Sequence, residues 1–176
     1  VLNKNRNMKI GINGFEAVIP RFGYDEKGYP NRVGSSEVCF ELISELSKID
    51  KKNEYIIYLP KQPTLDMPNE SPNWRYKVIR GSRLWTIFGL TRELFRKPKL
   101  SVFFSPTHYG PLYAPCPQVI SILDVSYKRF PEMFKKDDLY QLAFWGGYSV
   151  RKASKIITIS NNSKSDIIKE YHVSDH

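Results

Sequence analysis

Two residues that could move a proton or orient a substrate hydroxyl follow apolar runs of the sequence. His108 comes after the run Leu100–Phe104, and Asp124 comes directly after Gln118–Leu123. A histidine or a carboxylate in such a place can act as a base or accept a hydrogen bond from a hydroxyl. A purely structural His108 is the alternative, whereas a carboxylate that ends a buried strand needs polar partners. A role in a site is therefore favoured for Asp124.

Glycine and serine residues at strand ends and helix starts form the second group of candidates, because backbone N–H groups there can bind phosphate. Gly14 closes the first apolar run, Gly34 and Ser35 open a predicted helix, and Ser160 ends the last run. Each has a plainer explanation as a tight turn, a helix start or a helix cap. The stretch Phe15–Gly34, predicted to lack secondary structure, favours binding because long irregular loops often shape sites.

The elements that must position these residues alternate between short apolar runs and helical periods. Six strands are predicted, at Met8–Ile12, Tyr55–Leu59, Trp74–Ile79, Leu100–Phe104, Gln118–Leu123 and Lys155–Ile159. Helices are predicted from about Ser35 to Ile49, over Leu84–Phe95, from about Asp137 to Lys152, and through Ile167 and Ile168. This order indicates an α/β fold with a doubly wound, mainly parallel sheet of six or seven strands and helices on both faces. Its ligand crevice is expected beyond the carboxyl ends of the strands.

Length and composition limit the other possibilities. The 176 residues, 41% of them hydrophobic, suffice for one domain with a substantial core. Cys39 and Cys116 form neither a disulfide framework nor a CxxC pair, and with three histidines they predict no metal site. No apolar run approaches the roughly 20 residues that span a bilayer. We expect residues 8–176 to form the domain, and Val1–Asn7, which has no secretion-signal core, to be a disordered or expression-derived tail.

Positive charge is concentrated in one segment of a chain with a formal net charge of +9. Between Trp74 and Lys99 the sequence holds eight basic residues and one acid, Glu93. The helix predicted there has an apolar stripe formed by Leu84, Ile87, Phe88, Leu94 and Phe95. Trp85 is predicted to lie off this stripe. A basic amphipathic helix with an aromatic residue indicates contact with an anionic membrane. The contacting residues would be Arg83, Trp85, Arg92, Arg96 and Lys97. A solvated basic face on a sheet-covering helix is the alternative.

Four segments carry a resemblance to a known enzyme family. They are Lys9–Ile12 with its glycine turn, Gly34-Ser35-Ser36-Glu37, Gln118–Asp124 and Ala153–Ser163. In this order they resemble the N-terminal half of GT-B glycosyltransferases, and most closely the retaining family 4, the glycosyltransferase group 1 kind. The resemblance extends from about Met8 to Val173. Its most specific part is A-S-x-I-I-T-I-S-x-x-S after D-V-S-Y-x-x-F-P.

The resemblance implies one Rossmann-like half of a two-domain GT-B enzyme, namely the half that holds the acceptor. The C-terminal domain, with the E-x7-E motif and most of the nucleotide-sugar site, is expected outside this chain, so the 176 residues alone would not transfer sugar. The expected reaction moves a hexosyl group from a nucleotide sugar to a glycan, a lipid-linked or another acceptor, without cofactor or metal. The expected location, in polysaccharide biosynthesis, is cytoplasmic or peripheral on the inner face of the cell membrane.

The resemblance also implies roles for single residues. Asp124 matches the family's aspartate at the end of the fifth strand, Gly14 the glycine loop that approaches the donor phosphates, and Ser160 the serine that ends the sixth strand. The family often has a histidine before that aspartate, where this chain has Leu123. Whether His108 takes over that histidine's role is open.

Two other classes of function fit the sequence less well. A non-catalytic α/β module could bind anionic ligands or nucleic acid through the basic segment, but no RNP-like aromatic motif or helix-turn-helix signature is present. No nucleic acid partner is therefore expected. A nicotinamide-dependent oxidoreductase is disfavoured because the pattern ending at Gly14 lacks the third glycine of the dinucleotide fingerprint. The second strand also ends in Leu59-Pro60-Lys61 without the expected acidic residue.

Overall fold

Short runs rich in β-branched and aromatic residues form a six-stranded, all-parallel sheet. The computed structural model describes residues 7–81 and 84–174; Val1–Arg6 of the predicted tail and Arg83 of the predicted membrane contact lie outside them. The strands are β1 Lys9–Asn13, β2 Glu54–Leu59, β3 Trp74–Val78, β4 Val102–Ser105, β5 Gln118–Ser121 and β6 Lys155–Ile157. Their spatial order is β3-β2-β1-β4-β5-β6. This confirms the predicted α/β class and the Rossmann-like, doubly wound arrangement.

The helices lie close to their predicted places. They are α1 Phe15–Val18, α2 Ser35–Ile49, α3 Leu90–Leu94, α4 Ser126–Arg129, α5 Lys136–Gln141, α6 Gly147–Lys152 and α7 Asn161–Tyr171. π-Helical turns at Trp85–Gly89 and Leu142–Gly146 lead into α3 and join α5 to α6, and a 3-10 turn spans Pro131–Met133. No helix of the described residues is both long enough and apolar enough to cross a membrane.

One correction concerns the stretch Phe15–Gly34, which was predicted to be irregular throughout. Its first four residues form α1, because the side-chain oxygen of Asn13 accepts a hydrogen bond from the backbone N–H of Phe15 at 3.2 Å. Ala17 and Val18 then bury their side chains completely in the core beside α2. The irregular part of the loop is therefore shorter than predicted.

Alternation along β2 shows why both faces of the sheet are covered. Tyr55, Ile57 and Leu59 pack in the cluster that includes Ile43 of α2. The intervening Tyr58 packs with Leu90 and Leu94 of α3 on the opposite face. Successive strand residues point to opposite faces, so a central strand whose residues are apolar on both needs a helix on each side.

A second correction concerns the face that the helix after β3 exposes. Trp85 is only 4% exposed, and its indole N–H donates to the carbonyl of Ile79 at 2.7 Å. Leu84, Phe88 and Phe95, predicted to form the buried stripe, are instead 44%, 52% and 64% exposed. The π-helical turn at residues 85–89 inserts an extra residue. The buried face predicted from α-helical spacing is therefore wrong in this segment.

The two edges of the sheet differ. At the β3 edge, the carboxylate of Glu70 accepts a hydrogen bond from the backbone N–H of Tyr76 at 2.9 Å. At the other edge, β6 is only three residues long and leaves Ile157 51% exposed. Charged side chains and short strands are both ways in which proteins limit pairing at an open edge.

A buried ion pair fixes the loop between α1 and α2. Arg32 lies 2.6 Å from Asp66, and the side chains of both residues are largely buried. Its Nε donates to the carbonyl of Ala17 at 2.7 Å, and its guanidinium stacks 3.8 Å from the centre of the Phe40 ring. Burial alone would raise the pKa of Asp66, but hydrogen bonds from Arg32 and Thr64 outweigh it and hold that pKa below its ordinary value.

Replacing Arg32 with alanine should lower the free energy of unfolding by about 3–5 kcal/mol at neutral pH, because Asp66 would be left as a buried charge without its partner. The depressed pKa of Asp66 means that this stabilisation is present above the unfolded carboxyl pKa of about 3.9 and is lost as the pH falls through the folded value. The measurement is urea denaturation of both proteins across that range.

The matched control is Lys48→Ala, which removes an exposed ion pair with Glu45 on α2 and should leave the denaturation midpoint almost unchanged. A difference between Arg32→Ala and the wild type that does not narrow in acid would contradict this account of the loop.

Candidate functional site

The carboxyl ends of the parallel strands bring the predicted residues to one rim of the sheet. Gly14 follows β1, His108 follows β4, Asp124 follows β5 and Ser160 follows β6. β1 and β4 are neighbours although the chain passes through two other strands between them. The chain turns to opposite sides of the sheet from this pair, which makes it the point where such folds bind ligands.

His108 and Asp124 lie close enough for each to change the pKa of the other. Burial lowers the pKa of His108, while the negative charges of Asp124 and Glu16 act in the opposite direction without overcoming it. The imidazole is therefore neutral at pH 7. Its Nδ1 atom is buried and has no hydrogen-bond partner among residues 7–81 and 84–174.

Asp124 is ionised in the same environment. Burial alone would raise its pKa, but hydrogen bonds from Ser126 and the electrostatic effect of His108 outweigh burial and hold the pKa of Asp124 below its ordinary value. One of these bonds is donated by the backbone N–H of Ser126 to Oδ1 at 2.8 Å. The pair thus combines a neutral imidazole with a carboxylate, and both groups can accept a hydrogen bond from a hydroxyl.

Glu16 is a rim residue that the sequence analysis missed. It lies in α1, is almost fully buried, and pairs with Arg21, whose Nη2 lies 2.6 Å from one carboxylate oxygen and 2.8 Å from the other. Hydrogen bonding to Glu16 raises the pKa of Arg21. An acid two residues after Gly14, in a strand-end loop, was the only signal available in the sequence.

A cavity of about 500 Å³ opens at this rim. Four aromatic residues contribute to its wall, namely Phe15, Trp85, Tyr109 and Trp145. The polar groups in the wall are those of Glu16, Arg21, Thr86, Thr107, Asp138 and Gln141. The segments that follow β1, β2, β3 and β4 contribute to the wall, and so do α5 and the π-helical turn after it. A volume in this range, with apolar surface and a few polar groups, is typical of small-molecule sites.

None of the six predicted site residues lines this cavity, as far as the described residues show. Phe15, Thr107 and Tyr109, which are their neighbours in sequence, do line it. The residues of these loops that line the cavity are therefore one residue away from Gly14 and His108.

Close packing explains Gly14. A Cβ atom on this residue would come within 2.6 Å of the Leu59 side chain and 2.8 Å of the Ile57 side chain. The backbone N–H of Gly14 donates to the carbonyl of Tyr58 at 2.9 Å. The residue thus joins the end of β1 to β2, and a larger residue would have to displace buried atoms.

Local backbone structure explains the other three positions. Gly34 has φ +56°, a conformation that favours glycine, directly before Ser35 begins α2. Ser160 is the N-cap of α7, where its side-chain oxygen accepts a hydrogen bond from the N–H of Ser163 at 3.0 Å. Gly34 and Ser35 therefore belong to the start of α2, and Ser160 belongs to the start of α7 after β6.

A second cavity of about 490 Å³ lies along the sheet edge between β6 and α7. Among the described residues, its wall holds no carboxylate and no phenylalanine, tyrosine or tryptophan. The rim cavity combines acids, a guanidinium and aromatic rings, so it is the better candidate for ligand binding.

The side chains at the rim determine the chemistry that it can perform. No protein-family model matches the sequence, and no curated protein is a significant match to it. Within the part of the chain that the structure describes, no group of three or more His, Cys, Asp or Glu side chains could hold a metal ion. The rim contains a neutral imidazole at His108 and an ionised carboxylate at Asp124. It also contains a cavity with aromatic and charged residues in its wall.

Replacing Asp124 with asparagine should lower the pKa of His108 further, because the carboxylate is the main charge that opposes the effect of burial. The measurement is an NMR pH titration of the imidazole C–H resonance, which His108→Gln would identify. Asp137→Asn, on the exposed side of α5, is the control and should leave the titration unchanged. An unchanged or higher pKa in Asp124→Asn would show that the two groups are not coupled.

Proposed function

We propose that this chain is the acceptor-side domain of a retaining glycosyltransferase with a GT-B architecture. In the complete enzyme, a sugar would pass from a nucleotide-sugar donor to a glycan, a lipid-linked or another acceptor. The observation that carries the proposal is the rim cavity, whose mixture of aromatic rings, carboxylates and a guanidinium suits a sugar. The order of the motifs that resemble family 4 supports it independently.

The wall of the cavity matches the two kinds of surface that a pyranose presents. The C–H faces of the ring are apolar and can pack on Trp145 and Tyr109, as other apolar groups pack on aromatic side chains. The hydroxyl groups can donate to Asp138 and Glu16 and accept from Arg21. Such bonds to charged groups are the stronger ones in proteins and give a site its specificity.

In the proposed enzyme, His108 and Asp124 act beside the cavity as the groups that orient the reacting acceptor hydroxyl. A neutral imidazole can accept the hydroxyl proton, and the ionised carboxylate can stabilise the positive charge that then develops. The positive N-terminus of α2 at Gly34 and Ser35 is proposed to favour the donor phosphates. Positioning and fixed electrostatics would supply most of the catalysis.

Sugar binding by the chain tests the proposal directly. On an immobilised array of mono- and oligosaccharides, the protein should bind a defined subset, and Asp138→Asn should weaken that binding by roughly tenfold or more because a charged hydrogen bond is lost. Trp145→Ala should weaken it as well. Asp137→Asn is the matched control, since this neighbouring acid does not line the cavity.

Two results would count against the proposal. One is the absence of saccharide binding altogether. The other is binding to anionic polymers alone, unaffected by Asp138→Asn, which would favour the non-catalytic anion-binding module. A separate test is the coding sequence beyond His176, where the proposal expects a second Rossmann-like domain with an E-x7-E motif.

A further inference from the structure

Several large apolar side chains are exposed in the helical segment after β3 and in the helical segment that contains α5. We call this group the aromatic face; it consists of Leu84, Phe88, Phe95, Tyr140, Phe144 and Trp145. The rings of Tyr140 and Phe144 are parallel, with centroids 5.9 Å apart. Phe144 meets Trp145 edge-on at 4.9 Å, and Trp145 meets Phe88 edge-on at 6.4 Å. These contacts join the π-helical turn after β3 to α5 and to the π-helical turn that follows α5.

The exposure of this face is unusual for its residue types. All of its members except Trp145 are exposed, and Trp145 is half-buried. Single exposed apolar residues are common on protein surfaces. A connected patch of large apolar side chains instead marks a surface that binds a partner or a membrane.

Cations border the aromatic face in the sequence, because Arg92 lies on α3 and Lys97 and Lys99 follow Phe95. Arg92, Lys97 and Lys99 are exposed, and no ion pair within the described residues neutralises them. The single acid of the segment, Glu93, is buried and is already occupied by Lys77 at 2.5 Å and Arg96 at 3.0 Å. A groove of about 280 Å³ between Arg80, Arg92 and Arg96 adds a recess with guanidinium groups on its wall.

We infer that the aromatic face, with its border of cations, docks on the surface of an anionic lipid bilayer. Apolar side chains on short helices can enter the boundary between headgroups and acyl chains while arginines and lysines bind the phosphates. The charge of the border complements the negative potential of such a bilayer. A second copy of this chain would instead bring two groups of like charge together.

The side chains of the aromatic face also favour a bilayer over a nucleic acid. Leu84 has no ring on which a base could stack, and Phe95 has no ring partner that would hold it as a stacking platform within the described residues. A lipid surface uses both as apolar anchors. The sequence predicted membrane contact through Trp85, but that side chain is buried, so Phe88 and Phe95 occupy the role assigned to it.

Docking through this face does not depend on the proposed function. The two are related only in position, since Leu84 and Trp145 belong both to the aromatic face and to the wall of the rim cavity. The mouth of the cavity would therefore lie at the surface of the bilayer.

The experiment is co-sedimentation of the chain with phosphatidylcholine vesicles that contain increasing amounts of phosphatidylglycerol. Binding should rise with the anionic fraction and fall as salt is added. Phe95→Ser with Phe144→Ser should lower the partition coefficient about tenfold, because exposed rings are lost from the bilayer contact. Leu65→Ser with Ile49→Ser, two exposed apolar residues on the α2 side, is the matched control and should bind as the wild type does.

The cationic arm uses Arg92→Gln, Lys97→Gln and Lys99→Gln together. Binding to anionic vesicles should fall by on the order of fivefold for each cation removed. Lys27→Gln, Lys152→Gln and Lys169→Gln remove the same charge elsewhere and should have a much smaller effect. Circular dichroism of every variant would separate lost folding from lost docking.

Several outcomes would overturn the inference. They are equal binding to neutral and anionic vesicles, no vesicle binding at all, and vesicle binding that both control variants lose equally. Concentration-dependent dimerisation that Phe95→Ser with Phe144→Ser abolishes would assign the face to a second copy. Salt-dependent binding of a random oligonucleotide that exceeds vesicle binding would assign it to nucleic acid. Saccharide binding by the rim cavity is measured separately, so failure of one proposal leaves the other open to its own test.

Discussion

Six strands that run in one direction must place all their carboxyl ends on one side of the sheet, and every feature of the rim follows from this constraint. The segments after β1, β4, β5 and β6 are distant in sequence but converge there. The chain enters the sheet at its centre, moves to the β3 edge and then returns to the other side of β1. That return separates the loops of β1 and β4, and the rim cavity occupies the space between the elements they lead into.

Burial and the polar partners of each group together decide the chemical state of the groups at this rim. Arg21 binds both carboxylate oxygens of the almost fully buried Glu16, and Glu16 acts electrostatically on His108 and Tyr109. The imidazole of His108 stays neutral although two carboxylates are near it, since the cost of charging a buried ring is larger. A neutral base next to an ionised carboxylate is thus a product of packing as much as of residue type.

Much of the fold could be predicted from the sequence, but less of the candidate site. Strands such as Tyr55–Leu59 are signalled by residues that are apolar on both faces, which only a central parallel strand buries. The exposed face after β3 could not be predicted, because the π-helical turn at Trp85–Gly89 changes the spacing on which the stripe depends. The wall residues Asp138 and Trp145 come from an element far along the chain, and only the tertiary arrangement brings them to the loop of Glu16.

The two edges of the sheet limit the addition of a further strand in different ways. On one side, the Glu70 carboxylate occupies the backbone donor of Tyr76, which another strand would need for pairing with β3. On the other side, β6 offers a short ladder beside the uncovered side chain of Ile157. An incoming strand would therefore meet an occupied donor at one border and a ladder of only three residues at the other, so both borders oppose lateral extension of the sheet, one by charge and one by length.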